Sequence, residues 1–338
     1  MVPLRRLTGL VLAGLLAASC SAPPRPPAER PLTKVTYVTG FGLYGQEAYM
    51  VLGQELGFFR RAGLDVTIRP GAGTEANLKL LLAGQADVVI VDVTGALIAY
   101  GKGVRGFTTV AAIHQRSESC IITLDNRGIS SPKDLAGKRV GYQPGGVNYT
   151  LFPVYARLAG IDASRITWVQ TPPQRMRALM LSGSLDAATD LVVNKAGIEA
   201  AAPGRHAVVL PYSDYLTDLY GNALAVSTKL AHDNPDLVRR FRDATLAALE
   251  YAIDHPDETG RIFAKRQPGY PAQAAAAETA LTAPYARSAG AGAPVGAIRP
   301  ERVARTIALL QSAGAVPEGI TPDQVVDFDL APGRGAAR

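Results

Sequence analysis

From Val35 onward, short apolar runs alternate with longer segments whose apolar positions recur every three to four residues. Residues 35–38 predict a first strand. Residues 46–61 predict a helix, with Ala48, Val51, Leu52, Leu56 and Phe59 near one face. Gly63 closes that segment, and 64–68 alternates as a strand. A helix over 74–83, with Thr74 as its cap, leads into the continuous apolar run 86–91. Such a run suits a strand of a parallel sheet covered on both faces. A short helix over 94–100 and a strand over 107–113 complete the first series.

A second series begins near His114. Strands are expected at 139–142, 166–169, 185–188 and 207–210, and helices at 147–159, 174–182 and 195–201. Residues 120–124, which include Cys120, also read as a strand. A later strand over 222–226 precedes a mainly helical remainder, with helices at 272–283 and 302–313. This alternation predicts doubly wound α/β domains.

The first residues follow a different pattern. A basic start with Arg5 and Arg6, an apolar run from Leu7 to Leu16 and the small residues Ala17, Ala18 and Ser19 read as a secretory signal over residues 1–19. The run is too short for a bilayer core of roughly 30 Å. Cys20 follows directly, and 16–20 resembles the bacterial lipobox, which implies lipid on Cys20. Ala17 stands where that motif usually has leucine, and an ordinary signal peptide with a chance cysteine is the alternative. The proline-rich stretch to residue 32 cannot form a helix and favours an extended tether. A net charge of +6 without a basic block makes nucleic acid an unpersuasive partner. With lipid on Cys20, Cys120 would remain a free thiol, expected to pack as a small hydrophobe.

Four motifs then carry a family resemblance: LGQELGFFRRAGLDV at 52–66, LAGQADV at 82–88, SSPKDLAGKRVG at 130–141 and NPDLVRRF at 234–241. In this order they resemble the NMT1/THI5-like family of ABC-transporter substrate-binding proteins, over roughly residues 33–255. The resemblance implies a type II periplasmic-binding-protein fold: two doubly wound α/β lobes joined by two crossovers, with a helical C-terminal flank. The first lobe would span 33–113, the second 114–220, and 221–330 would return to the first, leaving 331–338 as a tail. Crossovers are expected near 113–118 and 211–221. It further implies a monomer that serves membrane permease and ATPase subunits of an importer and closes its lobes around a ligand.

In such a fold the ligand lies at the carboxyl ends of strands. The loops there give the candidate residues. Phe41, Tyr44 and Gln46 follow the first strand, where the aromatics can face a ligand or pack beneath the loop. Gly73 and Thr74 open a helix whose amides suit an anion or simply cap it. Asp92 and Thr94 follow an apolar strand, and Asp92 can accept from a ligand amine or cap the next helix. Ser117 and Glu118 sit at the first crossover. Gly145, Gly146, Asn148 and Tyr149 join a strand to a helix with room for close backbone approach. Asp190 ends a second-lobe strand, and Tyr220 lies by the second crossover as a contact or as hinge packing.

Aromatics and carboxylates outnumber arginines in these loops, which favours a planar amine-bearing ring, such as a thiamin pyrimidine precursor, over sulfonate, taurine or nitrate anions, with a riboflavin-like ring as a further alternative. No cofactor motif is present, and the scattered His114, His206, His232 and His255 lack metal-ligand spacing. A pyrimidine-synthesising enzyme, known in the same family, would be expected to carry a cysteine cluster, which this chain lacks. A sensory lipoprotein using the same lobes remains an alternative to a transport protein.

Overall fold

The computed structural model describes residues 31–144, 146–287 and 294–332. The signal segment, Cys20, nearly all of the tether, Gly145 and most of the tail lie outside the described residues.

The described strands are β1 (Thr33–Val38), β2 (Phe41–Gly42), β3 (Leu64–Arg69), β4 (Gly71–Ala72), β5 (Val88–Asp92) and β6 (Phe107–Ala112). They continue as β7 (Ser119–Leu124), β8 (Arg139–Tyr142), β9 (Thr167–Gln170), β10 (Ala187–Leu191), β11 (Ala207–Pro211) and β12 (Asn222–Ser227). One five-stranded sheet has the order β3-β1-β5-β12-β6, the other β11-β7-β10-β8-β9, and β2 pairs with β4 in a small ribbon. In the first sheet β1 runs parallel to β3 and β5, while β12 is antiparallel to β5 and β6. In the second, β8 runs parallel to β9 and β10, while β7 is antiparallel to β10 and β11. The chain passes from the first sheet to the second between Ala112 and Ser119, and returns between Pro211 and Asn222. This is the expected two-lobed α/β architecture. Strands β6 and β7 are buried along their whole length, as strands covered on both faces should be.

Local chemistry sets many boundaries. Ser131 and Asp134 form a capping box over the short helix Pro132–Leu135. The helix expected over 46–61 is instead broken into Gly45–Glu47, Ala48–Glu55 and Phe58–Arg61. Gly57 adopts φ +75°, which stops one helix and starts the next. The strand expected over 185–188 lies at Ala187–Leu191, where it pairs with β7 and β8. Thr74 is not a cap but the first residue of the helix Thr74–Leu82, because Gly73 with φ +94° already makes the turn.

The helical C-terminal flank binds both crossovers. The Arg302 guanidinium donates to the carbonyl of Gln115 in the first crossover, and to Asp218 O (2.8 Å) and Leu219 O (3.1 Å) in the second. It lies 3.9 Å from the centre of the Tyr220 ring. Arg305 adds a two-toothed contact to the Asp218 carboxylate at 2.8 and 2.9 Å. One apolar cluster contains Val89 and Leu97 of the first lobe, Leu216 and Tyr220 of the return crossover, and Phe152 and Tyr155 of the second lobe.

The lobes also meet directly. A Cβ placed on Gly95, in the first turn of the helix Val93–Gly101, would lie only 2.9 Å from Val147 Cγ2, at the start of the second-lobe helix Val147–Ala159. The described conformation is therefore closed at this point.

Candidate functional site

Three carboxyl groups and one imidazole gather where the first lobe meets the crossover, and a fourth carboxyl, Asp190, ends a second-lobe strand. Glu47 is buried, with Oε1 accepting the Gly40 N–H at 2.9 Å and Oε2 accepting the Tyr37 hydroxyl at 3.0 Å. Tyr49 extends this chain through a 3.1 Å contact with Tyr37. Burial pushes the Glu47 carboxyl up from its ordinary value, although these donors oppose the rise.

Asp92 ends β5 and caps the helix Val93–Gly101, with Oδ1 accepting the Gly95 N–H at 2.9 Å. Burial raises its pKa to about 7, against the stabilising Gly95 and Thr94 amides. The Asp92 amide is held in turn by Thr74 Oγ1 at 3.0 Å.

His114 and Glu118 occupy the first crossover, 2 % and 3 % exposed, with Nδ1 3.0 Å from Oε2. Burial disfavours charge on the imidazole, but Glu118, Glu47 and Asp92 outweigh it and its pKa is raised. On the second lobe Asp190 Oδ1 accepts from the Leu191 amide at 2.8 Å and from Asn194 Nδ2 at 2.5 Å. Burial raises its pKa as well. Asn148 fixes the adjoining helix start: Nδ2 donates to Asp190 O at 2.8 Å, and Oδ1 accepts from Ser119 Oγ at 2.6 Å.

Of the residues expected from sequence, Asp92, Thr94 and Glu118 belong to this region by geometry or electrostatic reach, while Asp190 and Asn148 form its second-lobe edge. Gln46, 6 % exposed, adjoins Glu47 and leaves its side-chain oxygen without a partner. Ser117 Oγ accepts from the Ser119 amide at 3.2 Å, so it shapes the crossover. Gly73 gives its N–H to Gly40 O at 2.9 Å, and Gly146 gives its own to Gln143 O at 3.0 Å. Those amides are used by the fold itself. Tyr149 stacks on Tyr142 at 4.0 Å and meets the edge of Trp168 at 5.0 Å, which occupies one face of its ring.

Phe41 is half-buried opposite Ala72 in the small ribbon, and Tyr44 is exposed beside Tyr270. Tyr220 is 1 % exposed, its hydroxyl accepts the Arg299 amide at 3.0 Å and its ring lies under Arg302. These contacts give it the hinge-packing role. Glu47 and His114 carry no sequence signal that marks them as site residues. Glu47 follows a loop of aromatic and glycine residues and reads there as helix surface. A groove of about 320 Å³ lined by Leu43, Val51, Ile68 and Arg266 contains none of the cluster residues.

A family model described as NMT1/THI5 like matches residues 45–259, more than half of the chain. The chain belongs to the NMT1/THI5-like family. The riboflavin-binding protein RibY of Chloroflexus aurantiacus is 26% identical over 274 residues, 76% of this chain and 77% of that protein. The formylaminopyrimidine-binding protein of Halalkalibacterium halodurans is 22% identical over 263 residues, 78% of this chain and 79% of its own. Among solved structures, the periplasmic aliphatic sulphonate-binding protein SsuA of Escherichia coli superimposes with a TM-score of 0.69, over 88% of this chain and 98% of that one. At 17% identity the likeness to SsuA shows a shared fold. No helix among the described residues is long and apolar enough to cross a membrane.

Proposed function

We propose that this NMT1/THI5-like chain is an exported, lipid-anchored binding protein that captures a small planar amine-bearing ring between its lobes and delivers it to an ABC importer. One observation carries the ligand class. Glu47, Asp92 and Glu118 surround a single imidazole, and Asp190 stands at the second-lobe edge. Such a region attracts N–H donors and repels anions. The name of one relative, for a formylaminopyrimidine, supports the same class, while that of the other, for riboflavin, supports a planar ring alone. An aminopyrimidine of the kind from which thiamin is built fits it. Export and anchoring rest on the basic start, the apolar run and Cys20.

Thermal melting of the purified protein with aminopyrimidines, thiamin, riboflavin, taurine, alkanesulfonates and nitrate tests the reading, because a ligand that binds the native state raises the melting temperature. Stabilisation by an amine-bearing ring is expected. Stabilisation by sulfonates or nitrate alone would refute the ligand class. Loss of ring uptake on deleting the gene would support transport, whereas intact uptake with altered gene expression would support sensing.

A further inference from the structure

Most buried polar atoms of the cluster have partners, but a small set does not. His114 Nδ1 lies 3.0 Å from Glu118 Oε2, which holds that side of the ring. Nε2 of His114, Oε1 of Glu118, Oγ1 of Thr94 and Oε1 of Gln46 have no hydrogen-bond partner. All four residues are at least nine-tenths buried: 2 %, 3 %, 1 % and 6 % exposed. An unpaired buried polar group costs about 1–3 kcal/mol. Several such groups close together are an expense that a bound partner removes.

The chemistry of the set is specific. A carboxylate oxygen only accepts hydrogen bonds. Glu118, Glu47 and Asp92 favour the protonated imidazole, and a protonated ring only donates. The pair therefore offers an acceptor beside a donor. An amino-substituted azine presents the complement on one edge, an exocyclic N–H donor next to a ring-nitrogen acceptor. Its oxo counterpart reverses the order and would set a carbonyl against the Glu118 carboxylate.

Building on the function proposed above, we propose that Glu118 and His114 are the specificity-determining pair of the ligand site, with Glu118 Oε1 accepting from the exocyclic amine and His114 donating to the adjacent ring nitrogen. The pair selects 4-aminopyrimidines and rejects 4-oxopyrimidines of the same size. Thr94 and Gln46 supply the remaining polar contacts. Discrimination of this type is large, because the wrong ligand leaves buried groups unpaired.

Calorimetric titration of the full-length protein with 4-amino-2-methylpyrimidine and 2-methylpyrimidin-4-one tests this directly. The wild type is expected to prefer the amino compound by about 100-fold. In Glu118→Gln the amide can donate to a carbonyl, so the preference should fall to within about tenfold, with affinity for the oxo compound rising. A residue that only holds the crossover in shape would weaken both probes alike. His114→Gln provides the second variant, with the same compression expected. Equal wild-type affinity for the two probes, or an unchanged ratio in both variants, would overturn the pair's role while leaving ring binding intact. Binding of neither probe, with binding of taurine or nitrate instead, would overturn the proposed function together with it.

Discussion

Replacing Asp92 with asparagine removes a carboxyl that the fold keeps in an unfavourable place while preserving its shape. Asparagine Oδ1 can still accept the Gly95 N–H, so the cap on the helix Val93–Gly101 is retained. The native carboxyl is raised from 3.8 to about 7, chiefly by burial. In the unfolded chain the group ionises near its ordinary value. Between these two values the folded state binds the extra proton, so stability falls as pH rises through this window. The contribution is fully present below about pH 4 and gone above about pH 7. At about 1.4 kcal/mol per pKa unit the whole rise corresponds to at most about 4 kcal/mol. Asp92 is only half-buried, and solvent screening reduces this to about 1–2 kcal/mol.

Chemical denaturation of the wild type and Asp92→Asn at pH 4 and pH 8 measures the difference. The variant should gain on the wild type by about 1–2 kcal/mol between the two pH values. Other groups titrate in both proteins and largely cancel, apart from His114, whose charged form Asp92 supports. A stability difference independent of pH, or one that favours the wild type at pH 8, would refute desolvation as the state of this carboxyl.

Gly95→Ala should lower affinity for the ligand about tenfold and lower the melting temperature of the free protein as well, because the added methyl would lie 2.9 Å from Val147 Cγ2 in the second lobe and 3.0 Å from Thr74 Oγ1 in its own; titration and melting together check this, and unchanged values of both would refute it. Asn77→Ala should destabilise by about 3 kcal/mol in urea denaturation, since the fully buried amide donates to Thr39 O, Gly40 O and Ile90 O at 2.8, 3.2 and 2.7 Å and so ties β1 to β5. Incorporation of radioactive palmitate should disappear in Cys20→Ala, and unchanged labelling would remove the anchor.

Periodicity, turn residues and short motifs act within a few positions of each other, and they determined the alternation of strands and helices. The apolar run that leads to Asp92 and the glycine Gly63 that closes the preceding helical segment could be read in chain order. The motifs along the body likewise pointed to the NMT1/THI5-like family. Contacts between distant residues were decided only by the tertiary structure. Tyr220 reads equally as a ligand contact or as hinge packing, and only the fold brings Arg299 and Arg302, some eighty residues later, over its hydroxyl and ring. Glu47 carries no mark in the sequence, and only the fold brings the β1 side chain Tyr37 to its carboxyl. His114 reads as one scattered histidine until Glu47, Asp92 and Glu118 converge on it. Desolvation and charge coupling depend on what surrounds a side chain in three dimensions. That is why the sequence alone determined the scaffold, while the acid–imidazole cluster emerged only when distant segments met.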